Sequence, residues 1–369
     1  MPARIRVGVM MGGASSEREI SLASGKMVAE HLPRDRYEVV MLDTLALMAH
    51  NMKIAPALRE RAQRLLEKGG QVEALPARND ELPQSFQEQI RSAAAAAAPA
   101  TEAITVAGGA ARIYVAFLAL HGPYGEDGTI QGMLDLLGVP YVGSGTLASA
   151  LAMDKAMAKK VFLAEGIPVP AGTVLHRGDF HRDRDRETVR AAAAALPAVV
   201  KPARQGSSIG MTMVKDAAGM RPALEEAFEY DSIVLVEERL TGTELTVGVI
   251  GNRDLQALPV VEIVSKREFF DYRAKYDPGL SEEIVPARIP PDVARATQDV
   301  ALRAHRALGC RNLSRVDVMQ TARGPVVLEV NTMPGMTVNS LLPKAAQAAG
   351  IPFAELLDRL VQLALEPED

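Results

Sequence analysis

Two short runs near the C-terminal end carry residue types that suit a hard metal ion. In Leu313 to Gln320, alternation puts Arg315, Asp317 and Met319 on one face of a strand. In Pro325 to Asn331 it does the same for Val327, Glu329 and Asn331. A three-residue turn, Ala322-Arg323-Gly324 with Gly324 left-handed, sets Asp317 opposite Glu329 and Arg315 opposite Asn331. A slip of one residue would separate them. Two carboxylates and an amide form an all-oxygen set suited to Mg²⁺ bridging phosphates. The same pattern is also that of a solvent-facing polar sheet. The following segment, Asn331 to Met336, favours the metal reading, because a Gly-containing loop before a helix offers backbone N–H groups to developing negative charge.

A second run, Lys201 to Gly210, ends a strand in a lysine and continues in small residues. Its N–H groups and hydroxyls could close over phosphates, or it could be an ordinary polar hairpin loop. A third, His121 to Gly128, follows an apolar strand, where clefts in parallel sheets open; turn chemistry explains its Gly and Pro equally well. Glu17 lies just inside a helix, a position that the helix dipole alone would favour. No GxGxxG follows a strand, and Gly25-Lys26 lacks the other residues of a P-loop.

The elements that must position these residues alternate as in an α/β protein. Ile5 to Met10, Gly12-Gly13 and a helix from Ser16 to His31 read as strand, turn, helix, with Ser16 and Glu19 as a capping box. Ile113 to Leu120 predicts a second buried strand, and Thr129 to Leu137 a helix. Between them, residues 51–109 read as a surface insertion with an alanine run. Lys155 to Glu165 and Pro291 to Leu308 predict helices, and the last third is rich in strands.

Composition narrows the class. The 369 residues exceed one ordinary core. A net charge of −5 offers no basic field for nucleic acid. The single cysteine, Cys310, excludes an internal disulfide, and the six histidines are scattered. No signal peptide or membrane-spanning run is present, so a cytoplasmic location is expected.

Taken together, the segments resemble the D-alanine–D-alanine ligase family, ATP-grasp enzymes of peptidoglycan synthesis. The resemblance rests on GGASSEREISLASG from Gly12, HGPYGEDGTIQG from His121, ASALAMDK from Ala148 and KPARQGSSIGM from Lys201. It continues through the paired Glu237 and Glu244, FDYRAKY from Phe270, SRVDVM from Ser314 and LEVNTMPGMT from Leu328.

The resemblance implies an ATP-grasp fold: a Rossmann-like N-terminal α/β domain (1–152), a small central lid domain (153–241) and a C-terminal α+β domain (242–369). It implies ATP as substrate, with Lys155, Lys201 and Lys275 on phosphates, Glu237 at the adenine edge and Glu244 at the ribose. Asp317, Glu329 and Asn331 would hold Mg²⁺, two ions, for which Mn²⁺ could substitute. Glu17 would anchor the first D-alanine's ammonium, with Ser207 and Tyr276 hydrogen-bonded to it, and His121 would line that pocket. Arg315 and the Gly335 N–H would face the oxyanion, and Ser340 with the Leu341 N–H the second carboxylate. Relatives are commonly dimers, so a homodimer is expected, with no nucleic-acid or membrane partner. The rivals are a D-alanine–D-lactate ligase, an ATP-grasp ligase for another amino acid, and a nucleotide-binding module without turnover.

Overall fold

The computed structural model describes residues 4–13, 15, 17–44, 113–182, 187–206, 208–265 and 281–367. The expected insertion, the capping residue Ser16, and Ser207, Lys275 and Tyr276 lie outside them. Three sheets organise what is described.

The first sheet is parallel, in the order β2-β1-β3-β4. Strand β1 (Ile5–Met11) leads through α1 (Arg18–His31) to β2 (Tyr37–Asp43). Strand β3 (Val115–Leu118) pairs on the other side of β1 and leads through α2 (Thr129–Leu136) to β4 (Tyr141–Val142). The chain therefore leaves β1 in one direction and re-enters beside it from the other, and the carboxyl ends of β1 and β3 flank a topological switch point. Strand β3 is shorter than the apolar run Ile113 to Leu120, whose ends lie in flanking coil. Helix α1 starts at Arg18 with Glu17 as N-cap, so Glu19 is second in the helix rather than the partner of a capping box at Ser16.

Helices α3 (Thr146–Met153) and α4 (Lys155–Ala164) lead into the second sheet, antiparallel β5-β8-β6-β7. It comprises β5 (Gly172–His176), β6 (Ala198–Pro202), β7 (Thr212–Val214) and β8 (Ile233–Glu238). Helices α5 (Arg177–Arg182), α6 (Glu187–Ala193) and α7 (Ala217–Tyr230) belong to this region. Ala198, Val200, Val234 and Val236 pack with Met220, Leu224 and Phe228 of α7 in a core of their own.

The third sheet runs β12-β11-β9-β13-β14, with β10 (Gln256–Ala257) also on β9. Its strands are β9 (Thr243–Gly251), β11 (Val261–Ser265), β12 (Ser281–Ile284), β13 (Asn312–Thr321) and β14 (Gly324–Asn331). One face buries Leu245, Val247, Val316, Val318, Val327 and Val330 against α8 (Pro291–Ala307) and against Ala158 and Phe162 of α4. Helices α9 (Leu341–Ala348) and α10 (Phe353–Leu365) close the chain.

These last helices do not form a separate core. Leu342, Leu356, Leu357, Leu360 and Val361 pack with Val7, Val9, Val28 and Phe117 of the first sheet in one continuous apolar cluster. Tyr37 is fully buried at the seam and donates to Asp358 Oδ1 at 2.5 Å, and Gln362 Nε2 donates to its hydroxyl at 2.7 Å. No helix among the described residues is long and apolar enough to cross a membrane.

Candidate active site

The first-sheet contribution begins where β1 ends. Gly12 and Gly13 have φ of 81° and 86°, which favours glycine. A side chain on Gly12 would also strike Arg18 and Asp43. The Arg18 guanidinium grips Asp43 at 3.0 and 2.5 Å and the Gly13 carbonyl at 3.1 Å. The loop is thereby fixed to β2, and Glu17 comes to the helix start with its side chain buried. Ser21 ties the two strand ends together. Its hydroxyl accepts from the Gly12 N–H at 2.8 Å and donates to the Ala119 carbonyl at 2.6 Å.

Past β3, Glu126 folds the His121 loop back on itself by accepting from the Gly122 N–H at 2.9 Å. His121 is buried, its Nδ1 3.6 Å from Glu126, and its Nε2 has no hydrogen-bond partner among the described residues. Burial is the largest influence on the imidazole and favours the neutral ring. Glu126 and the Glu17 charge outweigh it, against Arg315, and hold its pKa above the ordinary value. Glu17 and Arg315 therefore both act on His121, although they come from the first and third sheets. The Lys201 loop also reaches this point: a side chain on Gly206 would lie 3.5 Å from the Glu17 carboxylate.

Helix α4 wedges between the second and third sheets, with Ala156 against Ala203 and Leu235 and with Phe162 in the third-sheet core. Asp154 caps it by accepting from the Met157 N–H at 3.0 Å. Lys155 donates to the Gln205 carbonyl at 2.8 Å and lies 3.1 Å from Glu329. Lys159, one turn later on the same helix face, is 2.9 Å from Glu237 Oε1. Lys201 on β6 is 3.0 Å from Glu237 Oε2. Burial opposes the Glu237 charge, but Lys201 and Lys159 outweigh it and hold the carboxylate below its usual range. Both oxygens of Glu237 thus face ammonium groups, and an adenine-edge contact would have to share the carboxylate with them.

On the third sheet, Thr246 lies opposite Asp317 and Glu244 opposite Met319. Asp317 also lies opposite Glu329, and Arg315 opposite Asn331, as the sequence predicts. The cause differs. Thr321 pairs with Gly324, so the turn has two residues, Ala322 and Arg323, instead of three. A bulge at Leu328, between the pairs Val318–Val327 and Asp317–Glu329, restores the register.

Arg315 donates to both Asp317 oxygens at 2.9 Å, and Thr246 donates to Oδ1 at 2.6 Å. Asn331 Oδ1 accepts from the Met333 N–H at 2.9 Å and shapes the loop to Gly335. The Ser340 hydroxyl lies against Thr337 at 2.8 Å, at the N-cap of α9, where Leu341 presents the first N–H of the helix. Among the described residues no group of three or more His, Cys, Asp or Glu forms a metal cage. The candidate set is Asp317, Glu329 and Asn331: hard oxygen donors on one sheet face, with the two carboxylates next to cations. That donor chemistry fits a hard dication.

Of the site residues read from the sequence, the fold sets Lys155 beside Glu329, Lys201 beside Glu237, Arg315 beside Asp317, and His121 within reach of Glu17 and Arg315; Ser207, Lys275 and Tyr276 lie outside the described residues. Sequence reading missed Lys159, Ser21, Arg18 with Asp43, and Thr246. The i, i+4 spacing of Lys159 from Lys155 was the available signal for the first.

Two sheets that close over a line of lysines and carboxylates, beside a switch-point cleft, define an ATP-grasp enzyme. The profile of the D-ala D-ala ligase N-terminus matches residues 6–144, and that of the C-terminus residues 161–362. The chain belongs to the D-alanine–D-alanine ligase family. It is 40% identical over 368 residues to the D-alanine–D-alanine ligase of Desulforamulus reducens, covering 98% of this chain and 99% of the relative. It is 41% identical over 362 residues to that of Desulforudis audaxviator, with 98% and 99% covered. Among solved structures, the D-alanine–D-alanine ligase of Bacillus anthracis complexed with ATP matches with a TM-score of 0.70 at 32% identity, over 98% of this chain and 97% of that one. The VanG D-Ala:D-Ser ligase of Enterococcus faecalis matches with a TM-score of 0.75 at 31% identity, over 98% and 100%.

Proposed function

We propose that this protein joins two D-alanines into D-alanyl-D-alanine with ATP, through an acyl phosphate, for peptidoglycan synthesis. The observation that carries this reading is the meeting of three sheets on one cleft: Glu17 of the first and Arg315 of the third both act on His121, and Gly206 of the loop after β6 lies beside the Glu17 carboxylate. We assign 1–152, 153–241 and 242–369 as the three domains, with ATP between the second and third sheets.

Glu17 holds the first D-alanine's ammonium beside His121, with Ser207 and Tyr276 completing that network. The D-alanine carboxylate attacks the γ-phosphorus, the bond to ADP breaks, and an acyl phosphate forms. Lys155, Lys201 and Lys275 neutralise phosphate oxygens, and Glu244 takes the ribose. Asp317, Glu329 and Asn331 would hold Mg²⁺, two ions or Mn²⁺ in their place, which supplies further positive charge to the phosphates.

The Lys201 loop, lying over Glu17, keeps water from the acyl phosphate. The second D-alanine, its carboxylate on Ser340 and the Leu341 N–H, attacks the carbonyl carbon with its neutral amine. The oxyanion develops between the Gly335 N–H and Arg315, which must loosen its grip on Asp317 to face it. Phosphate leaves, and the amine proton passes to solvent. A cytoplasmic homodimer is the expected form.

The test is incubation with ATP, Mg²⁺ and D-alanine, with the product identified by mass and the assembly by light scattering. D-alanyl-D-alanine with one ADP per peptide bond supports the reading. Parallel arms with excess D-lactate, D-serine or L-alanine separate the rivals. Mainly ester, or mainly a mixed dipeptide, would overturn it.

A further inference from the structure

Lys159 has no part in the steps above, yet it stands in the charge cluster, on the far side of Glu237 from Lys201. It stands on α4 with 7% of its surface exposed, and Glu237 is 3% exposed. Its ammonium lies 2.9 Å from Glu237 Oε1 as an ion pair without hydrogen-bond geometry, and that of Lys201 lies 3.0 Å from Oε2. Such an arrangement is costly, because every charge in it has left water. A single lysine would suffice to satisfy a buried glutamate. The second therefore calls for an explanation other than the stability of Glu237.

The charge count supplies one. Two ammoniums and one carboxylate leave the trio with one net positive charge. Remove Lys159, and Glu237 has Lys201 alone: a neutral pair, whose ammonium is fully engaged. The burden of burial is also divided unevenly. Burial pulls Lys159 down to about 8, with Lys201 adding repulsion against the pull of Glu237. Lys201 meets the same burial, but Glu237 and Glu329 hold it above the usual lysine value. Lys201 is the better-held cation, and it is the one at the mouth of the 203–210 loop.

We propose that Lys159 is a positioning residue: it shares Glu237 with Lys201, so that the trio keeps one net positive charge, which Lys201 presents to the triphosphate. The proposal rests on the nucleotide reading given above. A plain structural ion pair between α4 and the second sheet is the alternative, and the two differ in a measurable way.

The experiment measures ATP–Mg²⁺ binding by calorimetry on the full chain, as wild type, Lys159→Met, Lys159→Arg, Glu237→Gln and Lys159→Met with Glu237→Gln. Lys159→Met should weaken ATP binding about tenfold, because one unit of positive charge is lost beside a site that takes a polyanion. Lys159→Arg should restore most of it. In steady state the KM for ATP should rise by the same factor, with the KM for D-alanine unchanged. In the Glu237→Gln background the loss on Lys159→Met should shrink to less than half, because no carboxylate is left to capture Lys201.

An unchanged ATP affinity in Lys159→Met, or an equal loss in both backgrounds, would overturn the proposal. Should Lys159→Met fail to fold, Lys159→Gln in both backgrounds gives the same comparison. A wild type that binds no ATP overturns the nucleotide reading along with this one. A wild type that binds ATP but makes no dipeptide overturns the ligase reading, and the Lys159 comparison still decides.

Discussion

Asp317 stands directly opposite Glu329, and the residue that puts it there is neither of them but Leu328, which bulges from the strand between the turn and the site. Without the bulge, the two-residue turn would set Leu328 opposite Asp317 and send the Glu329 side chain to the apolar face. A local irregularity in the ladder therefore aims the acidic pair.

Asp317→Asn and Glu329→Gln should each cost more than the roughly 10–100-fold typical of groups behind metal ligands. The fold should survive, because the amides keep the shape and can still accept from Thr246 or sit beside Lys155. ADP release measured across a Mg²⁺ titration checks this, with melting temperature as the control. Chelation of Mg²⁺ should abolish wild-type turnover. Near-normal rates in either variant would dismiss the metal assignment.

Ser21→Ala should raise the KM for D-alanine and cost about 1–3 kcal/mol of stability. The reason is that one hydroxyl serves both the Gly12 N–H and the Ala119 carbonyl, and a buried backbone group left without its partner carries that penalty. Since these are the ends of the strands leading to Glu17 and His121, the loss should fall on D-alanine and leave ATP affinity nearly intact. Initial rates at varied concentrations of each substrate separate the two.

His305 should make the protein acid-labile. It is fully buried, with Nδ1 2.7 Å from the Ser314 hydroxyl. Burial, aided by Arg306 and opposed by a Cys310 backbone contact, lowers its pKa from 6.5 to about 4. Between those values the unfolded chain binds a proton that the folded one refuses. Stability should therefore fall as pH drops from about 6.5 to about 4, by up to about 3 kcal/mol, and this contribution levels off below. Urea unfolding at stepped pH measures it. His305→Gln should flatten that part of the profile, and an unchanged slope would assign the lability to other groups.

Tyr37→Phe should destabilise the protein by about 1–3 kcal/mol and leave kcat unchanged. It removes the donor to Asp358 and leaves Gln362 without its acceptor, in a seam far from the cleft. Calorimetric melting alongside a standard rate assay distinguishes this from an effect on catalysis.

The parts of the fold legible in the sequence were those with one dominant local cause. Helix α8, expected over Pro291 to Leu308, runs Pro291–Ala307, and β13, read from alternation over Leu313 to Gln320, runs Asn312–Thr321. The hairpin register was reached through a turn that the chain does not use. Bulge and turn length compensate, and alternation cannot tell a three-residue turn from a two-residue turn plus a bulge.

Among site residues, Asp317, Glu329 and Asn331 could be grouped because they lie on adjacent strands. The convergence of Lys155, Lys159, Lys201 and Glu237 could not, because it depends on how α4 lies between two sheets distant in sequence. Ser21 was hidden for a similar reason: a serine within an amphipathic helix gives no sign that it spans two strand ends. Strand β2 was passed over because its apolar run, Val39 to Leu42, is only four residues long and its residues are mostly half-buried.

The apolar cluster shared by β1, α1, β3 and the two final helices has a consequence for the newborn chain. As it leaves the ribosome, the segment around Val7, Val9 and Val28 has no completed core until Leu356 to Val361 follow, some 350 residues later in a chain of 369. The second sheet, whose core is drawn from residues 175–236, can close long before that. Synthesis therefore favours an order in which the middle of the protein is finished first and its beginning last. A chain stopped short of Phe353 would hold the first sheet open on the face that α10 covers, presenting apolar surface to any neighbour.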